Sequence, residues 1–336
     1  MTAPQLGRDA VVRALQGVSR ALLLLHVNAD GDSVGSCLAL ARALEHRGAR
    51  CVVAYGDRYP QAYAFLPGAG AITAWDQVDA SQGFDVALLP DCSDAGRVGN
   101  AAPLLEAARL VVNIDHHASN TGFGDVRWVE PDRSCVGEMI MDIIDDLGVA
   151  LDQPMALCLY TALVTDTGSF RFSNTTPDAH RRAARLIEEG RLRPEEVATQ
   201  VYDNRSLTAL RLLGDALGTL ATSPDGRVAW IVVDRALQER HQAGPAEAEG
   251  IVSYPRSLAG VEIALSFFEQ ADGTVRVAFR SRGQADVAVL AQQFGGGGHP
   301  RAAGCTHPGP LQAAVRQVTE ASRRFLEGPA GEGIKA

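Results

Sequence analysis

Short apolar segments alternate with amphipathic helical segments through the first half of the chain. Four of the apolar segments are continuous runs of Val, Leu, Ile and Ala: RALLLLHV (20–27), RCVVAYG (50–56), DVALLPDC (85–92) and RLVVNIDHH (109–117). Strands that are apolar on both faces are typical of parallel sheets that carry helices on both sides. We therefore predict an α/β fold with a doubly wound, mostly parallel sheet, in which ligands bind beyond the carboxyl ends of the strands.

The pattern changes after about residue 185, where a long polar helical pattern with Pro194 near its start predicts a linker helix. Three strand-like segments follow, and the ADGT turn between the last two predicts a hairpin. Since 336 residues exceed what one hydrophobic core usually serves, we predict two domains. The expected ranges are 1–188 for the doubly wound domain, 189–218 for the linker helix and 219–328 for a smaller α/β domain with a mixed sheet.

Composition and charge argue against several classes of protein. The longest aliphatic run, ALLLL at 21–25, is too short to span a bilayer, and the N-terminal segment does not resemble a signal peptide, so we expect a cytoplasmic protein with no membrane partner. The six cysteines are scattered without a CxxC pair, which predicts core residues in a reducing compartment. A net charge of −9 argues against a protein that coats long duplex DNA.

Acidic and imidazole side chains recur where the predicted strands end. They are His26, Asp30 and Asp32 after the first strand, Asp91 after a second, Asp115, His116 and His117 after a third, and Asp166 in a later apolar segment. Alone, the Asp-His-His triplet could be a loop whose histidines cap backbone groups, and a single Asp after a strand commonly caps a helix. Four separate elements that bring such residues to one edge of a sheet instead predict a single site.

Carboxylates crowded together repel one another and take up protons, unless cations compensate their charge. Two divalent ions about 4 Å apart can share one bridging carboxylate, activate water and clamp a phosphate. Mixed imidazole and carboxylate ligation favours Mn²⁺, with Fe²⁺, Co²⁺ or Zn²⁺ as alternatives and Mg²⁺ as a less natural one. The pattern therefore predicts a phosphoesterase with two divalent metal ions.

The C-terminal part has a second candidate site. The run GGGGHPRAAG begins with Gly295, Gly296, Gly297, Gly298 and His299. Glycines allow backbone amides to approach an anion closely, although plain polyglycine is also typical of a flexible loop. Arg280 and Arg282 lie two apart on a predicted strand and would share a face, with Ser281 on the other, and one arginine could simply be solvated.

NADGDS together with DHH resembles the DHH phosphoesterase superfamily, and FRSRG with FGGGGHPRAAG resembles its DHHA1 partner domain. The length and the order of the motifs most resemble the nanoRNase group, which are bifunctional oligoribonucleases and 3′-phosphoadenosine 5′-phosphate (pAp) phosphatases. The resemblance implies an active site in the cleft between the two domains. It also implies one metal on His26, Asp30 and Asp91, and a second on Asp32, Asp91, His116 and Asp166.

The resemblance further implies roles for the remaining residues. His117 would face the phosphate or the leaving oxygen, and Asp115 would orient an imidazole. Arg280 and His299 would bind the far phosphate or terminal nucleotide of the substrate. Ser281, Arg282 and the four glycines 295–298 belong to the same expected binding set.

The function that the resemblance implies is hydrolysis of short single-stranded RNA or DNA, about two to five nucleotides long, and of pAp. A linear or cyclic dinucleotide phosphodiesterase, acting on pApA or cyclic di-AMP, stays open as an alternative because it needs the same cleft, and a homodimer also stays open. A non-catalytic nucleotide sensor would have lost a metal ligand, and each expected ligand position is filled.

Overall fold

The computed structural model describes residues 5–81 and 83–328, except for the side chain of His299. The chain divides into two compact units, Met1–Asn204 and Arg205–Ala336. Each unit has its own sheet and its own hydrophobic core.

Within the described residues, the first unit contains seven strands. They are β1 Gln5–Leu6, β2 Arg20–Leu24, β3 Arg50–Tyr55, β4 Thr73–Ala74, β5 Val86–Pro90, β6 Val111–Asp115 and β7 Val126–Val129. The strand order is β1-β7-β6-β5-β2-β3-β4, and each of these neighbours pairs in parallel. Because β2 and β5 are buried along their length, their apolar residues occupy both faces of the sheet. The predicted doubly wound parallel sheet is confirmed.

The helices of this unit are α1 Arg8–Leu15, α2 Gly31–His46, α3 Val136–Asp146, α4 Gln153–Asp166, α5 Pro177–Gly190 and α6 Pro194–Tyr202; α1, α2 and α3 contact the sheet, and α4 packs on α2. α2 and α4 approach closely at Gly35, where a Cβ atom would collide with the carbonyl oxygen of Cys158. The segment Ala95–Ala107 between β5 and β6 is 3₁₀ and not α-helical, because Gly99 has the non-helical φ of 58° and Pro103 lies within the segment.

The second unit begins with α7 Leu207–Leu217, so two helices, α6 and α7, occupy the range where one linker helix was predicted. Its described strands are β8 Ala221–Thr222, β9 Val228–Val233, β10 Ile263–Glu269, β11 Val275–Ser281, β12 Gly297–His299 and β13 Ala302–His307. Their order is β12-β13-β11-β10-β9-β8, and β9 with β10 is the parallel pair in this mixed sheet. The predicted hairpin is confirmed as β10 and β11.

The remaining helices of the second unit are α8 Arg235–His241, α9 Ser253–Ser257, α10 Val287–Gln292 and α11 Leu311–Glu327. Among the residues that the structure describes, no helix combines the length and the hydrophobicity needed to cross a membrane. One expectation needs correction here. β11 ends at Ser281, so Arg282 lies beyond the strand and is exposed, whereas Arg280 is a partly buried strand residue.

Candidate metal centre

The metal-ligand candidates meet at one edge of the parallel sheet. β2, β5 and β6 are neighbours, and His26, Asp91 and His116 follow directly after their carboxyl ends. α2 begins after Asp30, and α4 ends at Asp166. The structure forms three overlapping groups in which one ligand atom per residue lies within 4.8 Å of the others: His26, Asp30 and Asp91; Asp32, His116 and Asp166; and Asp91, His116 and His117.

The first group is arranged around His26. Its Nε2 lies 3.3 Å from Asp91 Oδ2 and 3.8 Å from Asp30 Oδ1. Its Nδ1 lies 2.9 Å from the carbonyl oxygen of Val27. Nδ1 also lies 3.1 Å from Arg97 Nη2, so both of its contacts are with the protein and Nε2 is the ring nitrogen that faces the two carboxylates. Asp30 is also the N-cap of α2 and accepts hydrogen bonds from the amides of Asp32 and Ser33, which fixes its carboxylate.

Hydrogen bonds from the residues at the start of α3 orient the second group. The two oxygens of Asp32 accept from the amides of Val136 and Gly137 at 2.6 and 2.9 Å. His116 Nδ1 lies 3.0 Å from the carbonyl oxygen of Arg133, so its Nε2 faces Asp166 Oδ2 at 3.6 Å. The segment from Arg133 to Gly137 therefore orients two ligands of this group at once.

Asp166 receives a hydrogen bond of 3.2 Å from Asn174 Nδ2, which also donates to the Ser134 carbonyl. Asn174 and the contact of the Arg133 carbonyl were not predicted from the sequence. Neither residue follows a predicted strand, and both act through backbone or amide contacts that form only in the folded chain.

Asp91 connects the two groups. Its Oδ2 faces His26 at 3.3 Å, and its Oδ1 lies 3.7 Å from His116 Nε2. The side chain is buried, and Oδ1 has no hydrogen-bond partner among the described residues. Asp91 also has a φ of 59°, a left-handed conformation that is costly for a residue other than glycine and is typical of functional sites. A buried carboxylate oxygen without a donor, between two imidazoles, fits a bridging ligand of two cations.

The electrostatics of the cluster also fit cations. Burial, together with the charge of Asp91, raises the pKa of Asp166 to about 7 and that of Asp32 well above its ordinary value. Burial alone would lower the pKa of His26 and His116, but the neighbouring carboxylates raise both to about 10. The cluster therefore holds protons where it lacks cations, and divalent ions would replace them.

His117 is held differently from the other two histidines. Its Nδ1 lies 2.7 Å from Asp115 Oδ1 and 3.5 Å from Asp91 Oδ1. Although burial opposes it, the hydrogen bond from His117 lowers the pKa of Asp115. Because the short hydrogen bond to Asp115 occupies Nδ1, the contact favours an acid or base role for the imidazole over metal ligation.

The predicted glycine loop has a different structure from the expected anion cradle. The amides of Gly295 and Gly296 donate to the carbonyls of Gln292 and Ala291, so they cap α10 and are not available to an anion. Gly297 and Gly298 belong to β12, the described edge strand. A Cβ atom on Gly296 or Gly298 would collide with the neighbouring β13, so these glycines permit a close approach of two strands.

The other predicted residues of the second unit are partly engaged as well. The hydroxyl of Ser281 donates to the Pro300 carbonyl at 3.1 Å. Arg280 Nη1 donates to the Phe279 carbonyl at 2.9 Å, and burial with the nearby Arg256 lowers the pKa of Arg280 to about 10. Arg280 therefore stays a cation at neutral pH whose charge is poorly compensated. The prediction for His299 concerns a side chain outside those that the structure describes.

Comparisons with known proteins cover almost the entire chain. A model of the DHH family, N-terminal domain, matches residues 20–163, and a model of the DHHA1 domain matches residues 227–328. The bifunctional oligoribonuclease and PAP phosphatase NrnA of Thermus thermophilus is 34% identical over 319 residues, which cover 94% of this chain and 92% of the relative. The protein of the same name from Bacillus subtilis is 27% identical over 307 residues, which cover 89% and 93%.

A solved structure supports the fold. The crystal structure of an exopolyphosphatase-related protein from Bacteroides fragilis matches with a TM-score of 0.88. The match covers 95% of this chain and 96% of that chain at 24% sequence identity.

Proposed function

From the premise that this chain belongs to the DHH family of phosphoesterases and carries a DHHA1 domain, we propose that it hydrolyses short oligoribonucleotides to mononucleotides and dephosphorylates pAp to AMP. The observation that carries the proposal is that Asp91 belongs to one ligand group and lies 3.7 Å from His116 of the other. The named relatives, which are similar over most of the chain, support the choice of substrates.

We propose Mn²⁺ for both positions, because imidazole and carboxylate oxygen together suit this ion. His26, Asp30 and Asp91 would hold one ion, and Asp32, Asp91, His116 and Asp166 would hold the other. When bound, the ions would supply an activated water and neutralise charge on the phosphate.

The residues around the ions would complete the reaction. Asp115 holds Nδ1 of His117 and thereby fixes the tautomer in which Nε2 can exchange a proton. We assign this nitrogen the task of giving a proton to the leaving oxygen, a contribution typical of general acids. Asp115 is a positioning residue in this scheme, since it acts through His117.

In the second unit, we propose that Arg280 binds a substrate phosphate distant from the bond that is cut. Its guanidinium is a partly buried cation, and the nearby positive charges of Arg256 and Arg276 outweigh the negative charge of Glu249, so an anion would be attracted there. Arg282 and His299 would assist it, while Ser281 and the glycines 295–298 would shape the edge of the site. Long duplex DNA is not an expected substrate, because the net charge is −9.

The first test compares turnover of pApA, pAp and cyclic di-AMP by the Mn²⁺-loaded enzyme. We expect pApA and pAp to be hydrolysed and cyclic di-AMP to be cut at least about tenfold more slowly; preferred cleavage of cyclic di-AMP, or hydrolysis of pApA without hydrolysis of pAp, would favour the dinucleotide phosphodiesterase instead. Absence of turnover with all three, at full Mn²⁺ occupancy, would favour the sensor.

The second test concerns the bridge. Asp91→Ala should lower Mn²⁺ occupancy and abolish hydrolysis, because the loss of a shared ligand disrupts both ions. Metal content by mass spectrometry and the rate on pApA measure this, with exposed Asp76→Ala as the control. A residual rate above about a tenth would contradict the bridging role.

A further inference from the structure

Asn113 is a fully buried polar residue in the middle of the apolar strand β6. Its Nδ2 donates to the carbonyl oxygens of Leu89 and Cys92, at 3.1 and 2.8 Å. These two carbonyl groups belong to residues that precede and follow Asp91 in the sequence. Both hydrogens of one buried amide therefore bond the backbone around the shared metal ligand.

The backbone at this point needs support. Asp91 follows the last residue of β5, Pro90, and adopts the left-handed conformation. A residue with a Cβ atom keeps this conformation only where its surroundings hold it. Besides Asn113, the structure provides a hydrogen bond of 2.9 Å from the Asp91 amide to the Ile114 carbonyl.

Asn120 continues the contacts toward His117. Its Oδ1 accepts from the Gly122 amide at 2.7 Å, which fixes the orientation of the side-chain amide. Its Nδ2 then donates to Asn113 Oδ1 at 2.9 Å and to Asp115 Oδ2 at 2.6 Å. The other oxygen of Asp115 binds His117 Nδ1. A continuous series of hydrogen bonds thus runs from the backbone at Asp91 to the imidazole.

We propose that Asn113 and Asn120 are positioning residues of the metal centre with separable tasks. Asn113 maintains the left-handed backbone of Asp91 and thereby the geometry of the bridging carboxylate. Asn120 fixes Asp115 and thereby the imidazole of His117. The second task rests on the proposed phosphoesterase function, whereas the first concerns metal binding alone.

The Asn113 task is tested by Mn²⁺ affinity in calorimetric titrations of the metal-free protein. Asn113→Ala should weaken Mn²⁺ binding about 10- to 100-fold, the usual effect of removing a residue that orients a ligand. Asn113→Ser, whose hydroxyl can donate to one carbonyl, should weaken binding less, and it carries the test if the alanine variant does not fold. Exposed Asn100→Ala is the matched control. Unchanged affinity in the folded Asn113 variants would overturn this part.

The Asn120 task is tested by a double-mutant cycle with His117, using bis-p-nitrophenyl phosphate and pApA as substrates. Asn120→Ala should lower kcat on pApA about 10- to 100-fold with Mn²⁺ affinity and KM nearly unchanged, and it should lower kcat less on bis-p-nitrophenyl phosphate, whose leaving group needs little help from an acid. In the His117→Ala background the same substitution should lower kcat less than about threefold, because its target is already absent. Equal losses in both backgrounds would overturn this part. Inactivity of the wild type on both substrates would instead refute the proposed function, while the Mn²⁺ titration would still decide the Asn113 task.

Discussion

At the scale of single residues, His116 and His117 are neighbours with different partners. Because His116 Nδ1 faces a backbone carbonyl and its Nε2 faces Asp166, His116→Ala should lower Mn²⁺ occupancy. His117→Ala should keep the metal and lose roughly two to four orders of magnitude in kcat, as expected for a lost acid. Metal content and kcat of the two purified variants measure this. Equal metal loss in both would reverse the assignment.

The protonation of the metal-free cluster predicts a pH dependence of metal binding. Asp166, with a pKa of about 7, and the imidazoles of His26 and His116, with pKa values of about 10, hold protons at neutral pH that Mn²⁺ must displace. Affinity should therefore rise with pH between about 6 and 8, by about tenfold per pH unit for each proton displaced.

Calorimetry in buffers of different ionisation enthalpy counts the released protons, and a pH-independent affinity would contradict the prediction.

The stability of the metal-free fold depends on pH in the opposite direction from Mn²⁺ affinity. A raised imidazole pKa stabilises the metal-free protein fully below the ordinary value of 6.5, and this contribution is lost as pH rises through about 10.

The clustering of the candidate ligands was predictable because each follows an apolar strand or ends an apolar helical pattern, so elementary sheet geometry brings them to one edge. The residues that orient these side chains were harder to predict. In hindsight, Asn113 could be singled out as a lone polar residue within the apolar segment VVNID, because a buried amide requires hydrogen-bond partners. Its partners are backbone carbonyls of another strand, and sequence alone does not identify them.

At the scale of elements, the packing of α2 on α4 brings the start of one helix and the end of the other to the metal centre. Gly35→Ala would place a methyl group against the Cys158 carbonyl and should destabilise the first unit by about 1–3 kcal/mol. Gly214→Ala is the matched control: it lies in α7 with open space around it, so alanine should be neutral or stabilise by up to about 1 kcal/mol.

Urea unfolding of the metal-free variants measures both effects, together with Mn²⁺ affinity. An equal stability change at the two positions would show that helix propensity, and not the close approach, dominates at Gly35.

Several features of the elements could not be predicted from periodicity. The 3₁₀ segment depends on Gly99, and the C-cap of α10 uses the first two residues of a run that resembles an anion loop. Glycine has several uses, and composition does not distinguish a cap or a close strand pair from a binding loop. The strands β2, β3, β5, β6, β9, β10 and β11 were predictable because long apolar runs and the ADGT turn leave few alternatives, whereas β1, β4, β7, β8, β12 and β13 were not predicted.

At the scale of the whole molecule, substrate length should distinguish the proposed enzyme from a general exonuclease. The kcat/KM should be highest for substrates of about two to five nucleotides, because the acidic chain offers a long strand little additional attraction. Arg280→Ala should raise KM for these substrates and reduce the preference for short lengths, and bis-p-nitrophenyl phosphate should be cut as before.

A series from the dimer to the twenty-four-mer, with wild type, Arg280→Ala and His299→Ala, measures the preference. Exposed Arg316→Ala is a control of the same residue type in the second unit. Wild-type enzyme that cuts the twenty-four-mer as efficiently as the dimer would refute the prediction.

The parallel sheet has a consequence for biosynthesis. The candidate metal ligands extend from His26 to Asp166, and parallel neighbours such as β2 and β5 pair only after a long intervening stretch has folded. Parallel pairing of this kind is slow, since distant segments must meet before their contacts form. A nascent chain therefore lacks the complete ion-binding pocket until α4 has left the ribosome. From that moment, cations that bind the folded domain more tightly than the unfolded chain would stabilise it.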